Sequence, residues 1–198
     1  MRLTQMILTC LCLVMAASFA MAEGQKRDGP MDMQAIMETY EKLATPGEPH
    51  KQLSSMAGSW NTKTKSWMEP DQPPMESTGS CEQKMLLDGR FLQQECTGEM
   101  MGSSFKGIGM TGYDNHTKKY VSTWMDSMGT GIYFMEGTGS ADGKTITQEG
   151  SYDDPMEGPI KLRSVTKIVD HNTEIFEMYG TDKSGQEMKV MEITYTRK

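Results

Sequence analysis

The run GIGMTGYDNHTKKYVSTWMDS, Gly107–Ser127, admits two incompatible readings, and the choice between them sets the fold. Gly107, Gly109 and Gly112 match G-x-G-x-x-G, the loop that carries a pyrophosphate onto the start of a helix in α/β proteins. That chemistry needs a helix N-terminus directly after the glycines, because free backbone amides there bind the phosphates. Tyr113-Asp114-Asn115-His116 follows instead, and Asp and Asn are turn formers whose side chains bond their own backbone. Beyond it, Lys119–Asp126 is rich in β-branched and aromatic residues, which favour strands. The segment reads as two strands and a turn, its glycines letting the first strand bend at a barrel corner. Nucleotide binding is rejected.

Upstream, CEQKMLLDGRFLQQEC, Cys81–Cys96, centres on Asp88-Gly89, a preferred two-residue type I′ turn. Register about that turn sets Cys81 directly opposite Cys96 on adjacent strands, within disulfide reach. Such a bridge is expected as a staple and not as redox chemistry, stabilising the fold by roughly 3 kcal/mol. From Trp60 onward, turn residues punctuate the chain about every 8–12 residues. The predicted strands are 59–68, 77–87, 90–99, 103–113, 119–126, 130–138, 144–152, 160–169, 173–181 and 187–197. The clearest further turns are Asp142-Gly143, His171-Asn172 and Ser184-Gly185. Ile160, Leu162 and Ile168 share one parity, opposite Lys161, Arg163 and Lys167; Met191, Ile193 and Tyr195 share another dry face. Short connections and no crossover helix predict an all-β, antiparallel up-and-down barrel of eight to ten strands, with a short N-terminal helix. Closure removes the exposed sheet edges.

The first 22 residues do not belong to that domain. Arg2 precedes the apolar stretch Met6–Ala20, and Ala20-Met21-Ala22 has the small-x-small pattern of signal cleavage after Ala22. Cys10 and Cys12 lie too early to be a lipoprotein anchor. Export to the periplasm or beyond the cell is the expectation. Residues 23–48 form a polar leader and an amphipathic helix on Met33, Ile36, Met37, Tyr40 and Leu43, ended by Pro46-Gly47. The barrel domain is 49–198, with a further helical turn within 49–58. The full chain carries 20 Lys+Arg and 27 Asp+Glu; loss of Arg2 with the peptide leaves a net charge of −8. That balance excludes nucleic acid and anionic membrane as partners, and no stretch after the peptide is apolar enough to span a bilayer. Oligomeric state is not encoded legibly.

His50, His116 and His171 share no spacing suited to a metal, and no cofactor is expected. Asn115-His116-Thr117 is a glycosylation sequon. Of 21 methionines, 17 follow the signal peptide; they occupy positions of core filler, not the clusters that copper(I) requires. Trp124 and Asp126 share a strand face. Turned inward, Asp126 beside an indole could act as an acid or base; turned outward, it is a strand-end aspartate. Gly58-Ser59-Trp60 opens the first strand and Arg197 ends the last, so closure lets the guanidinium lie over the Trp60 ring.

The G-x-W tripeptide and terminal arginine resemble the calycin, or lipocalin-like, barrels. HKQLSSMAGSW (50–60), LLDGRFLQQE (86–95), FKGIGMTGYDNHTKKYVSTWMDSMGTGI (105–132) and YTRK (195–198) together resemble domain-of-unknown-function family 1579. The resemblance covers about residues 50–198 and implies a lipocalin-like barrel, without a reaction or ligand to carry over. Similar barrels bind small apolar molecules, and nitrobindin-like ones bind haem through a histidine. The last two strands here hold no histidine. The leading expectation is a noncatalytic barrel taking a small, partly apolar ligand, with Trp67, Trp124, Tyr133 and Phe134 as its lining. The alternatives are an isomerase- or hydrolase-like enzyme using Asp126, and an envelope-interaction protein presenting the 31–44 helix.

Overall fold

The computed structural model describes residues 32–69, 72–100, 102–156, 158–181 and 185–198. The signal peptide, most of the leader and Ser184 of the last expected turn lie outside them. Two units are distinguished, one ending at Thr39 and the other spanning Tyr40–Lys198. Helix α1 (Met33–Ala44) begins where the Asp32 carboxylate accepts the backbone N–H groups of Gln34 (3.0 Å) and Ala35 (3.2 Å), an N-cap. None of its residues is buried. Helix α2 (Glu48–Ser55) carries Pro49 in its first turn, where a fixed φ and a missing N–H are tolerated, and His50 Nδ1 accepts the Gly47 N–H at 3.0 Å.

Among the described residues ten strands follow: β1 (Gly58–Ser66), β2 (Met75–Leu86), β3 (Phe91–Met100), β4 (Ser103–Asp114), β5 (Lys119–Asp126), β6 (Tyr133–Gly139), β7 (Thr145–Asp154), β8 (Gly158–Asp170), β9 (Thr173–Thr181) and β10 (Glu187–Arg197). Each pairs antiparallel with its chain neighbours, and β1 pairs β10, so the sheet closes. The barrel read from the sequence is the barrel observed. The largest shift of a strand boundary is at β6, which starts at Tyr133 because the exposed, glycine-containing stretch Gly129–Ile132 stays out of the sheet.

Cys81 pairs with Cys96, their Cα atoms 4.1 Å apart, and the two are disulfide-bonded. The hairpin tip is nevertheless wider than a two-residue turn. Strands stop at Leu86 and Phe91, and Leu87 (φ 49°), Asp88 (φ 56°) and Gly89 (φ 85°) all take left-handed backbone. The tip widens symmetrically, so the register survives. The double variant Cys81→Ser/Cys96→Ser is expected to lose about 2–3 kcal/mol in urea unfolding, since the denatured chain regains the entropy of an open loop. A loss below about 0.5 kcal/mol would show that the cross-link closes a loop the denatured chain already keeps compact.

One end of the barrel is closed. Inward-facing Leu92, Tyr120 and Ile146 bury against Leu53 and Met56, contributed by α2 and the residue after it. The expected helical turn before the first strand is thus the plug of the barrel floor. Tyr120 donates its hydroxyl to Gln52 Oε1 at 2.5 Å, tying the plug to β5. At the other end the inward residues Phe105, Trp124, Tyr133, Tyr152, Met178 and Met191 remain half-exposed, so solvent enters there. The outer wall carries solvated ion pairs, among them Lys63–Glu76 (3.0 Å), Lys84–Glu95 (3.8 Å) and Lys119–Glu136. Pairs this exposed contribute little to stability, and they are the reverse of the apolar outer band of a membrane barrel. Among the described residues no helix is long and apolar enough to cross a membrane.

Candidate functional site

The open end is built around Trp124. It faces inward on β5, with Gly109 of β4 and Tyr133 of β6 as its cross-strand partners. Gly107 and Gly109 give its indole a seat. A Cβ on Gly107 would collide with Cζ2 and Cη2 of the ring, and one on Gly109 would stand 3.0 Å from Cε3. The glycines expected to bend a strand therefore leave floor space for an aromatic ring, the sheet device that covers a bare glycine with an aromatic neighbour. Gly112, of opposite parity, does the same for Phe91 on the outer wall.

Phe105 stacks beside Trp124, with centroids 6.4 Å apart and planes 17° from parallel. Tyr133 meets Tyr152 edge-on at 5.5 Å. Asp126 shares the inward parity and is half-buried. Its Oδ2 accepts the Trp124 Nε1–H at 2.8 Å and its Oδ1 accepts the Met128 N–H at 2.9 Å. The carboxylate thus faces in, yet each oxygen is already held by a donor that fixes the ring and the strand end. Of the other expected lining residues, Trp67 lies half-buried one residue past β1, its N–H donating to the Val190 carbonyl at 3.0 Å. Phe134 requires correction: it lies on the outer face, 53% exposed. Consecutive strand residues point to opposite faces, so Tyr133 and Phe134 cannot both line one interior.

At the closed end, the Arg197 guanidinium lies over Trp60, 4.1 Å from the ring centroid. Its nitrogens donate to the carbonyls of His171 (2.8 Å), Ala57 (2.8 Å) and Ser55 (3.0 Å). Gly58, at φ +148°, sits beneath it where any Cβ would strike Nη1. This cation is fully engaged and belongs to the floor.

The histidines are accounted for locally. His50 caps α2 and packs edge-on against Tyr113; burial and nearby Arg90 hold its pKa below the ordinary imidazole value, against a Tyr113 backbone bond. His116 donates its N–H to Asp114 Oδ1 in the β4–β5 turn. The sequon amide is also spent: Asn115 Nδ2 donates to the carbonyls of Leu43 (2.9 Å) and Thr45 (2.8 Å), bonds that a glycan there would forfeit. Beside this tether, an open concavity of about 430 Å³ lies against Phe91, Met110 and Val121 on the outer wall, outside the barrel interior. Among the described residues no group of three His, Cys, Asp or Glu is placed to hold a metal.

Sequence reasoning missed the polar interior. Thr111, Ser122 and Gln148 form a hydrogen-bonded row, with Ser122 2.9 Å from each neighbour. Gln94 donates to the Tyr195 hydroxyl at 3.1 Å. Glu174, 2% exposed, receives a long 3.4 Å bond from Gln83. Burial pushes its pKa up to about 7, against that bond and the more distant Arg197 charge. Its parity with Phe176 and Met178 on β9 was the available signal.

A closed up-and-down barrel whose first-strand tryptophan lies under the last-strand arginine defines the lipocalin-like class. The chain belongs to the protein family of unknown function DUF1579, whose sequence model matches residues 45–197. The fold is similar to that of Rv2717c from M. tuberculosis, with TM-score 0.58 and 14% identity, covering 78% of this chain and 99% of that one. It is also similar to the S-type phycobiliprotein lyase CPES from Guillardia theta, with TM-score 0.53 and 11% identity, covering 77% and 98%. At such identities the likeness shows the fold alone. A search of curated proteins finds no match.

Proposed function

We propose that this protein is an exported barrel that binds a small, partly apolar molecule through its aromatic end. The observation that carries this reading is the Trp124 indole, seated flat on Gly107 and Gly109 and flanked by Phe105 and Tyr133 while still half-exposed inside the barrel. Inward aromatic surface left open to solvent is costly unless something occupies it. The fold neighbour that is a phycobiliprotein lyase is compatible with a role of this kind. Export is supported by the signal-like residues 1–22 and by a disulfide, a cross-link that persists in oxidising compartments. In this reading Asp126 anchors the ring and the ligand; it need not transfer a proton.

Native mass spectrometry on protein exported through its own signal peptide tests both parts. Expected are cleavage after Ala22, the two-hydrogen deficit of the Cys81–Cys96 bond, and an added mass that leaves on denaturation. Uncleaved protein would remove the export reading. A clean apo mass, together with tryptophan fluorescence that acrylamide cannot quench beyond the level of buried Trp60, would mean a filled barrel and end the binding reading.

A further inference from the structure

The charge distribution inside the barrel narrows what it can hold. On the inward parity of the ten strands, the described residues include no lysine, and the single arginine is Arg197, stacked on Trp60 and bonded to three carbonyls. The inward parity at the open end carries carboxylates instead: Asp126 at the end of β5 and Asp154 at the end of β7. Among the described inward residues an anionic guest such as a fatty acid would meet no counter-charge at that end, and desolvating an unpaired charge is expensive.

Three further features favour a cation. Trp124, Phe105, Tyr133 and Tyr152 present aromatic rings along β4 to β7, and ring faces attract positive charge. Across the barrel Met178 and Met191 are inward-facing register partners, offering polarizable thioethers that adapt to an irregular apolar body. Asp126 has two acceptor sites occupied, about half of a carboxylate's capacity, which leaves acceptor positions for a guest. The chain's net charge of −7 draws cations toward it.

We propose that the ligand is a lipophilic cation, an apolar body bearing a basic or quaternary nitrogen, with that nitrogen placed at the open end beside Asp126 and the Trp124 ring. This deepens the binding reading above and rests on it.

The test compares three probes of one chain length on the purified protein: dodecyltrimethylammonium, dodecanol and dodecanoate, each below its own aggregation threshold, by calorimetry at pH 7.5 and low salt. The ammonium is expected to bind at least about tenfold more tightly than the carboxylate, a preference that shrinks in high salt. Asp126→Asn should lower that ratio several-fold, whatever common change in affinity the altered ring anchor brings to all three probes; Asp154→Asn gives a second reading if the first variant loses its near-ultraviolet circular dichroism. Dodecanoate binding as tightly as the ammonium, or a ratio that neither variant alters, overturns the cation assignment and leaves the binding reading standing. Failure of all three probes to bind strikes the binding reading itself.

Discussion

Replacing Trp60 by alanine is expected to cost about 3–5 kcal/mol, the range for emptying a buried aromatic site. Trp60 is fully buried and packs against Cys81 and Tyr195, meeting the tyrosine ring edge-on at 6.4 Å. It also supports the barrel seam. Its Nε1–H donates to the Met56 carbonyl at 3.0 Å, holding the end of the floor plug, and its face carries Arg197 from the last strand. Truncation would empty the site, orphan that carbonyl and release the guanidinium from its stack. Trp60→Phe separates the contributions, since it keeps a ring under Arg197 and forfeits the indole bond, for about 1–2 kcal/mol beyond the volume lost. Urea unfolding of both variants checks this. A cost below about 1 kcal/mol for the alanine variant would mean that β1–β10 closure does not depend on the Trp60–Arg197 stack.

Glu174→Gln is expected to stabilise the protein at pH 8 by up to about 3 kcal/mol and to change little at pH 4. Glu174 lies inward near Gln83, Tyr195 and Arg197, and burial raises its pKa from 4.5 to about 7. Below pH 4.5 the group is protonated whether folded or unfolded, and burial of the neutral acid carries no charge penalty. Between 4.5 and about 7 the unfolded chain releases this proton while the folded one retains it, so stability falls as pH rises. Above about 7 the loss is complete and constant. Glutamine keeps the acceptor for Gln83 and removes the titration. His50, whose lowered pKa slopes the other way over part of this window, is common to both proteins and cancels in the difference. Urea melts at pH 4, 6 and 8 would measure it. A variant less stable than the parent at every pH would show instead that Arg197 holds Glu174 ionised.

Glu177, three residues along β9, shows why position on the strand matters more than residue type. It is as buried as many core residues, and burial alone would raise its pKa. On the outer face, however, Lys167 (2.7 Å) and Lys189 (2.5 Å) clasp it and hold it down at about 2. The two glutamates have opposite titrations because one faces in and the other out.

Much of this architecture was legible without coordinates because its causes are local. Turn chemistry at Asp88-Gly89 placed Cys81 opposite Cys96, and the alternation in β8 and β10 placed Leu162 and Tyr195 on dry faces. Asp114 and Asn115 after the glycines were enough to reject a nucleotide loop. Each of these follows from side chains within a few residues, acting on turn geometry and a period of two.

What only the tertiary structure decided is which face of each strand became the inside, and which helix closed the end. The sequence reading puts both Tyr133 and Phe134 in the lining; in the closed barrel the tyrosine faces in and the phenylalanine out. Gly107 and Gly109 acquired their purpose only when β5 laid Trp124 across them. Glu174 became a buried acid only when β9 curved around it, and α2 became a plug only when Leu92, Tyr120 and Ile146 converged beneath it. A strand's period belongs to its own backbone, whereas inside and outside belong to a closed surface that exists once all ten strands have paired.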